Sequence, residues 1–202
     1  MLDDVNMVER IQSYSRSHFI EKSAASSIRE RYESHALDLH ISFVIAWMCR
    51  PALRRGHNVG LTADNRQELI VKCTSNLFGC VRAFIKLNSL SILARRSWAI
   101  IHNGLSSILL LSFLDATARI PEVRKLQASV IDVFSVGPEI GGSEGGDIDL
   151  SIPHARTLDV LKRLHSQSAN SESTIQDDSR ISQAHLEASD TIPMPNNEMN
   201  TP

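Results

Sequence analysis

From Trp98 to Leu114 the sequence places apolar side chains on every side of a would-be helix: Trp98, Ile100, Ile101, Leu105, Ile108, Leu109, Leu110, Leu111, Phe113 and Leu114. A helix that is apolar all round has to be wrapped, either by other helices or by lipid. Lipid fits poorly. The run is shorter than the ~20 residues a span needs, and it carries His102, Asn103, Gly104, Ser106, Ser107 and Ser112. Arg95 and Arg96 precede it and Asp115 follows at once. The run therefore reads as a central helix buried inside a helical domain, and no membrane is expected as a partner. Gly104, Ser106 and Ser107 offer a flat strip along which a neighbouring helix can come close. Asp115, Arg119 and Pro121 mark the exit and the start of the next helix.

A chain of 202 residues is long enough for one domain with a real core and a tail. Apolar residues make up 42 % but aromatics only 5 %, a Leu-, Ile- and Ala-rich balance that suits helix-on-helix packing better than a β-sandwich. The net charge of −2 gives no bulk attraction for a polyanion. The first residues, MLDDVNMVERIQ, are acidic and lack the apolar stretch of a secretory signal. Cys49, Cys73 and Cys80 are an odd set lying inside apolar helical patterns. They read as reduced, buried thiols and not as a disulfide framework.

Taken in order, residues 1–26 predict a short helix, with Val5, Val8, Ile11 and Tyr14 on its face, and then a loose connection. A firm helical pattern starts at Ser27, with Ile28, Tyr32, His35, Leu39 and Phe43 leading into SFVIAWMC, and should end near Arg50 because Pro51 follows. A second long helix starts at Thr62 or Asp64. Asp64 with Gln67 has the spacing of a capping box, and Asn88 and Ser89 end the helix. Its stripe is Ile70, Cys73, Leu77, Val81, Phe84 and Leu87, and Gly79 permits close approach. The Trp98–Leu114 helix comes next. Then Pro121 opens one with Val123, Leu126, Val130, Ile131 and Phe134 inside. The segment VGPEIGGSEGGDIDLSIP is a loop, and Pro153 opens a last helix with Ala155, Leu158, Leu161 and Leu164 inward. From Ser166 the chain has six acids, one Arg and no aromatic residue, which predicts a disordered acidic tail. The expectation is all-α: an array of about five or six packed helices, divided as an N-terminal helix and linker over 1–26, a helical domain over 27–165 and the tail over 166–202.

Chemical motifs are sparse. Gly141-Gly142-Ser143-Glu144-Gly145 matches the string G-x-S-x-G, but a nucleophile elbow needs a strand before it and a helix after it. Here a helix precedes and an acidic loop follows. Glu144, Asp147 and Asp149 suggest a calcium loop, yet counting from Asp147 the required Gly and Glu positions hold Ile152 and Leu158. Cys73 and Cys80 have a spacing known from binuclear zinc clusters but lack the C-x-x-C pairs, so no metal and no cofactor are expected. Arg50, Arg54, Arg55 and His57 form a small basic patch beside a helix end, where cations complement the exposed carbonyls. It lacks the interleaved aromatics of a nucleic-acid site. His40 and the neighbours His102-Asn103 lie within apolar stretches and read as buried, hydrogen-bonded groups.

One set of motifs resembles a known family. Cys73 opening a helix, Arg95-Arg96-Ser97-Trp98, His102-Asn103-Gly104-Leu105-Ser106-Ser107 and Pro121-Glu122-Val123-Arg124 with Leu126 and Gln127 resemble the C-terminal part of the fungal-specific transcription factor domain. This is the middle homology, or regulatory, region of fungal binuclear zinc cluster activators. Upstream, Leu39-His40 and Arg50-Pro51-Ala52-Leu53 are similar to that region; downstream, so are Leu150-Ser151 and Pro153-His154-Ala155-Arg156. The resemblance covers about residues 28–165. It implies an all-α domain in a nuclear regulator of metabolic or secondary-metabolite genes, and no catalysis. The family's DNA-reading cysteine cluster and the front of the regulatory domain have no counterpart here. The chain thus reads as a truncated form, a piece of a longer regulator, or a regulator acting without its own DNA contacts, and no specific DNA binding is expected from it alone.

The expected function is transcription regulation through protein partners, self-association or a small-molecule effector. An effector pocket would lie between helices, with Trp98, His102, Asn103 and His40 as its candidate residues and no catalytic residue. The rival reading is a small helical enzyme or adaptor using Ser143 or His102.

Overall fold

The computed structural model describes residues 2–20, 27–54, 62–135 and 150–167. Among these residues there are six α-helices and no strand: α1 (Leu2–Ile20), α2 (Ile28–Cys49), α3 (Ala63–Leu90), α4 (Trp98–Phe113), α5 (Pro121–Ser135) and α6 (152–167). Short 3-10 turns at Arg50–Leu53 and Ile92–Arg96 follow α2 and α3. The chain is all-α. It clusters into two units, Met1–Arg163 and Leu164–Pro202. The second is described only over 164–167, so most of the acidic tail lies outside the described residues, as does the glycine-rich loop over 136–149.

Local chemistry sets the helix starts. Ser27 caps α2: its Oγ accepts from the Glu30 N–H at 3.3 Å, and the Glu30 carboxylate accepts from the Ser27 N–H at 2.8 Å. The cap of α3 is Thr62, whose Oγ1 accepts from the Asn65 N–H at 3.3 Å, so Asp64 lies inside the first turn and not at the cap. At the end of α2, Arg50 keeps right-handed helical geometry in spite of the proline after it. Pro51 has no N–H to continue the ladder, and the chain tightens into a 3-10 turn instead. The helix α3 runs on to Leu90, one residue beyond Ser89. Asn88 stays helical, donating its side-chain amide back to Phe84 O at 2.8 Å.

The central element is α3, not α4. It packs on α2, α4 and α5 and on both 3-10 turns, and its pairing with α2 is the most extensive in the chain. Leu69, Cys73, Leu77, Val81, Phe84 and Leu87 are buried along it, with Ile70 at the margin. Two glycines let helices meet. A Cβ on Gly79 would lie 3.3 Å from Ser42 Oγ on α2, and one on Gly104 of α4 would lie 2.4 Å from the Phe84 ring. Phe84 is fully buried and stacks on Phe134 of α5, with centroids 6.1 Å apart.

The helix α4 is buried along one face and partly covered on the other. Ile100, Ile101, Leu105, Ile108 and Leu111 are buried, whereas Trp98 and Phe113 at its two ends are 61 % and 58 % exposed. The expected all-round burial therefore fails at both termini. Thr117 closes the exit turn by donating to Leu111 O at 2.6 Å, and Gln127 of α5 donates to Ser112 Oγ at 2.7 Å.

The helix α1 spans 19 residues, longer than expected, and packs on α2, while the expected linker over 21–26 lies outside the described residues. Its inward residues are Val5, with Val8 beside it, and Gln12. Ile11 and Tyr14, expected on that face, are exposed. Gln12 donates to Ser42 Oγ at 2.9 Å, and Glu9 forms an ion pair with Lys72. A polar Gln thus joins Val5 and Val8 on the inward face of α1. In α6 the inward set is Leu158, Leu161 and His154. Among the described residues, Ile28–Leu53 is the one helical stretch long and apolar enough to cross a membrane. Leu39, Ile45 and Cys49 within it are fully buried in the core.

Candidate functional site

Three helices bring the candidate residues together. The helix α2 supplies His40 and Phe43, α4 supplies Trp98, His102 and Asn103, and α6 supplies His154. Asn103 is buried and its Nδ2 lies 3.0 Å from Nδ1 of the exposed His40. With the amide N–H donating, the His40 ring accepts at Nδ1 and carries its proton on Nε2. The Asn103 carbonyl oxygen accepts from the Cys80 thiol at 3.6 Å, so one residue of α4 ties α2 and α3 together through polar contacts.

Trp98 and His102 are one turn apart on α4, and their rings stack, with centroids 4.8 Å apart and planes within 4°. Phe43 meets His102 edge-on at 6.0 Å. His154 completes the group, at 5.6 Å from the Trp98 ring and 6.0 Å from His102. Only 4 % of His154 is exposed, and its Nε2 has no hydrogen-bond partner. Burial holds its pKa below the ordinary imidazole value, and the positive form of His102 pushes the same way. His154 is therefore a neutral ring at neutral pH.

All four pocket candidates, Trp98, His102, Asn103 and His40, fall in this cluster. They form two contacting pairs, His40 with Asn103 and Trp98 with His102, and only the second pair stacks its rings. His154 and Phe43 were not singled out for the site from sequence. His154 had two signals: Pro153-His154-Ala155-Arg156 is one of the motifs of the resemblance, and its place four residues before Leu158 and seven before Leu161 puts it on their helix face. A separate cleft of about 560 Å³ lies at the end of α2, lined by Trp47, Met48, Arg50, Pro51, Leu53, Arg54 and Leu110.

The cysteines are core groups. Cys49, Cys73 and Cys80 are fully buried, and Cys73 donates to Ala46 O at 3.4 Å. Burial raises the Cys49 thiol to about 11 and those of Cys73 and Cys80 to about 12, so all three are protonated. Among the described residues, no three His, Cys, Asp or Glu side chains gather in a way that could hold a metal ion. Ser143, Glu144, Asp147 and Asp149 lie outside the described residues, as do Arg55 and His57.

Compared with models of known families, with curated proteins and with solved structures, the chain matches none.

Proposed function

We propose that this chain is the helical regulatory part of a transcription regulator that works in the nucleus, on metabolic or secondary-metabolite genes, without specific DNA contacts of its own. It acts through protein partners, self-association or a bound effector. One observation carries the reading. The motifs that resemble the fungal regulatory domain are scattered over more than a hundred positions, yet two contacts join distant ones: His40 of α2 meets Asn103 of α4, and His154 of α6 packs on the stacked Trp98 and His102 rings of α4. A chance likeness of short strings gives no reason for such convergence. The all-α architecture agrees with what the resemblance implies, and the close Gly104–Phe84 contact gives its glycine a physical role.

The test is a reporter assay. The full chain is fused to a heterologous DNA-binding module and expressed with a reporter carrying that module's site. Reporter output is expected to differ from that of the module alone, and Asn103→Ala, which breaks the contact to His40, is expected to reduce the difference. Output equal to that of the bare module overturns the reading.

A further inference from the structure

The cleft at the end of α2 is separate from the ring cluster and has its own chemistry. Its volume of about 560 Å³ is that of a small-molecule site. Trp47, Met48, Leu53 and Leu110 supply apolar walls, and Trp47 is 63 % exposed although it lies in a core-forming helix. Two guanidinium groups, Arg50 and Arg54, stand at the same cleft. None of the ion pairs Arg29–Glu33, Lys72–Glu9, Lys72–Glu68 and Arg82–Glu122 supplies a carboxylate to Arg50 or Arg54.

The turn that presents these two cations is held in place. Arg66 of α3 donates from Nε to Ala52 O at 3.0 Å and from its terminal nitrogen to Arg54 O at 3.4 Å. Arg66 is thereby occupied with backbone carbonyls, while Arg50 and Arg54 keep their forked donors for something else. The C-terminal end of α2 carries about half a negative charge, which two full positive charges outweigh. A cleft lined by both apolar side chains and two guanidinium groups matches a molecule with an apolar body and an anionic head, because guanidinium and carboxylate pair through two parallel hydrogen bonds.

We propose that this cleft binds a small organic acid, its carboxylate held by Arg50 and Arg54 and its apolar body lying between Trp47 and Leu110. Such a ligand names the class of effector for the regulatory reading, and only its consequence for transcription rests on that reading. Binding itself is measured on the chain alone.

The probes are decanoate, kept below its micelle threshold, and decanol, its neutral counterpart, titrated by calorimetry into the full-length chain. Decanoate is expected to bind saturably and at least about ten-fold more tightly than decanol, the margin a charge-assisted hydrogen bond supplies. The double variant R50Q/R54Q, altered at exposed side chains, is expected to lose that margin while keeping its melting transition and its weak affinity for decanol. Trp47→Ala is expected to weaken both probes. Equal affinity for decanoate and decanol, an unchanged decanoate affinity in R50Q/R54Q, or no binding of decanoate overturns the proposal. Binding to phosphatidylserine vesicles without binding of free decanoate also overturns it and assigns the face to a membrane surface. A silent reporter with decanoate still bound would sink the regulatory reading and leave the cleft assignment standing.

Discussion

A Cβ on Gly104 would fall 2.4 Å from the ring of Phe84, closer than any real side-chain carbon comes to a neighbour. The ring cannot give way, since Phe84 is fully buried and stacked on Phe134. Gly104→Ala gains roughly 1 kcal/mol of helix propensity but overpacks the α3–α4 contact, which typically costs ~1–3 kcal/mol and more where nothing can move. The net expectation is a loss of stability in urea denaturation, partly recovered by adding Phe84→Leu. Gly79→Ala is the control. There the nearest atom is a Ser42 hydroxyl 3.3 Å away, and the two effects should cancel to within about 1 kcal/mol. A Gly104→Ala protein as stable as the parent would show that the two helices are not in this register.

Neighbouring positions on α4 should respond very differently to a charge. Ile108 is fully buried, and Leu109 is only partly so. Ile108→Asp leaves an unpaired carboxylate in the core, a cost of several kcal/mol against a total stability of about 5–15 kcal/mol. It is expected to abolish the cooperative thermal transition. Leu109→Asp can turn its carboxylate to water and should melt cooperatively at a lower temperature. Equal effects at the two sites would contradict the one-sided burial of α4.

Acid should weaken the fold through His154. Its folded pKa lies below the ordinary value of 6.5, chiefly because it is buried. The unfolded chain therefore binds the proton more readily. The associated stability is complete above about 6.5, and it is lost as pH falls from there through the folded value. His35, also lowered by burial, contributes in the same direction. A melting-temperature profile should fall on the acid side, and His154→Phe should flatten it while the His35 share remains. An unchanged acid limb in that variant would remove His154 from the account.

The three thiols should be silent in the folded protein. Reaction with a thiolate-selective disulfide reagent needs both access and ionisation, and burial denies Cys49, Cys73 and Cys80 both. Labelling is expected to be slow in native buffer and rapid in urea, following unfolding. Rapid labelling of any one thiol without denaturant would place it at the surface.

Most helix boundaries were legible in the sequence because the groups that set them are neighbours in the chain. Ser27 and Glu30 cap each other across a single turn, Pro51 stops the α2 ladder by lacking an N–H, and Pro121 opens α5. The α3 stripe was readable for the same reason, as side chains three and four residues apart must share a face. The candidate cluster was legible in part: Trp98 and His102 stack one turn apart, so their contact follows from the helix itself. Which helix lies at the centre was a matter for the tertiary structure. An apolar surface all round α4 cannot say how many neighbours cover it, and the fold buries one face and leaves Trp98 and Phe113 in water. The inward face of α1 was likewise decided by its partner, because Ser42 accepts from Gln12 and turns Ile11 and Tyr14 outward. His154 joins the rings only because α6 returns to α4 from far along the chain, and side-chain periodicity carries no record of such a distance.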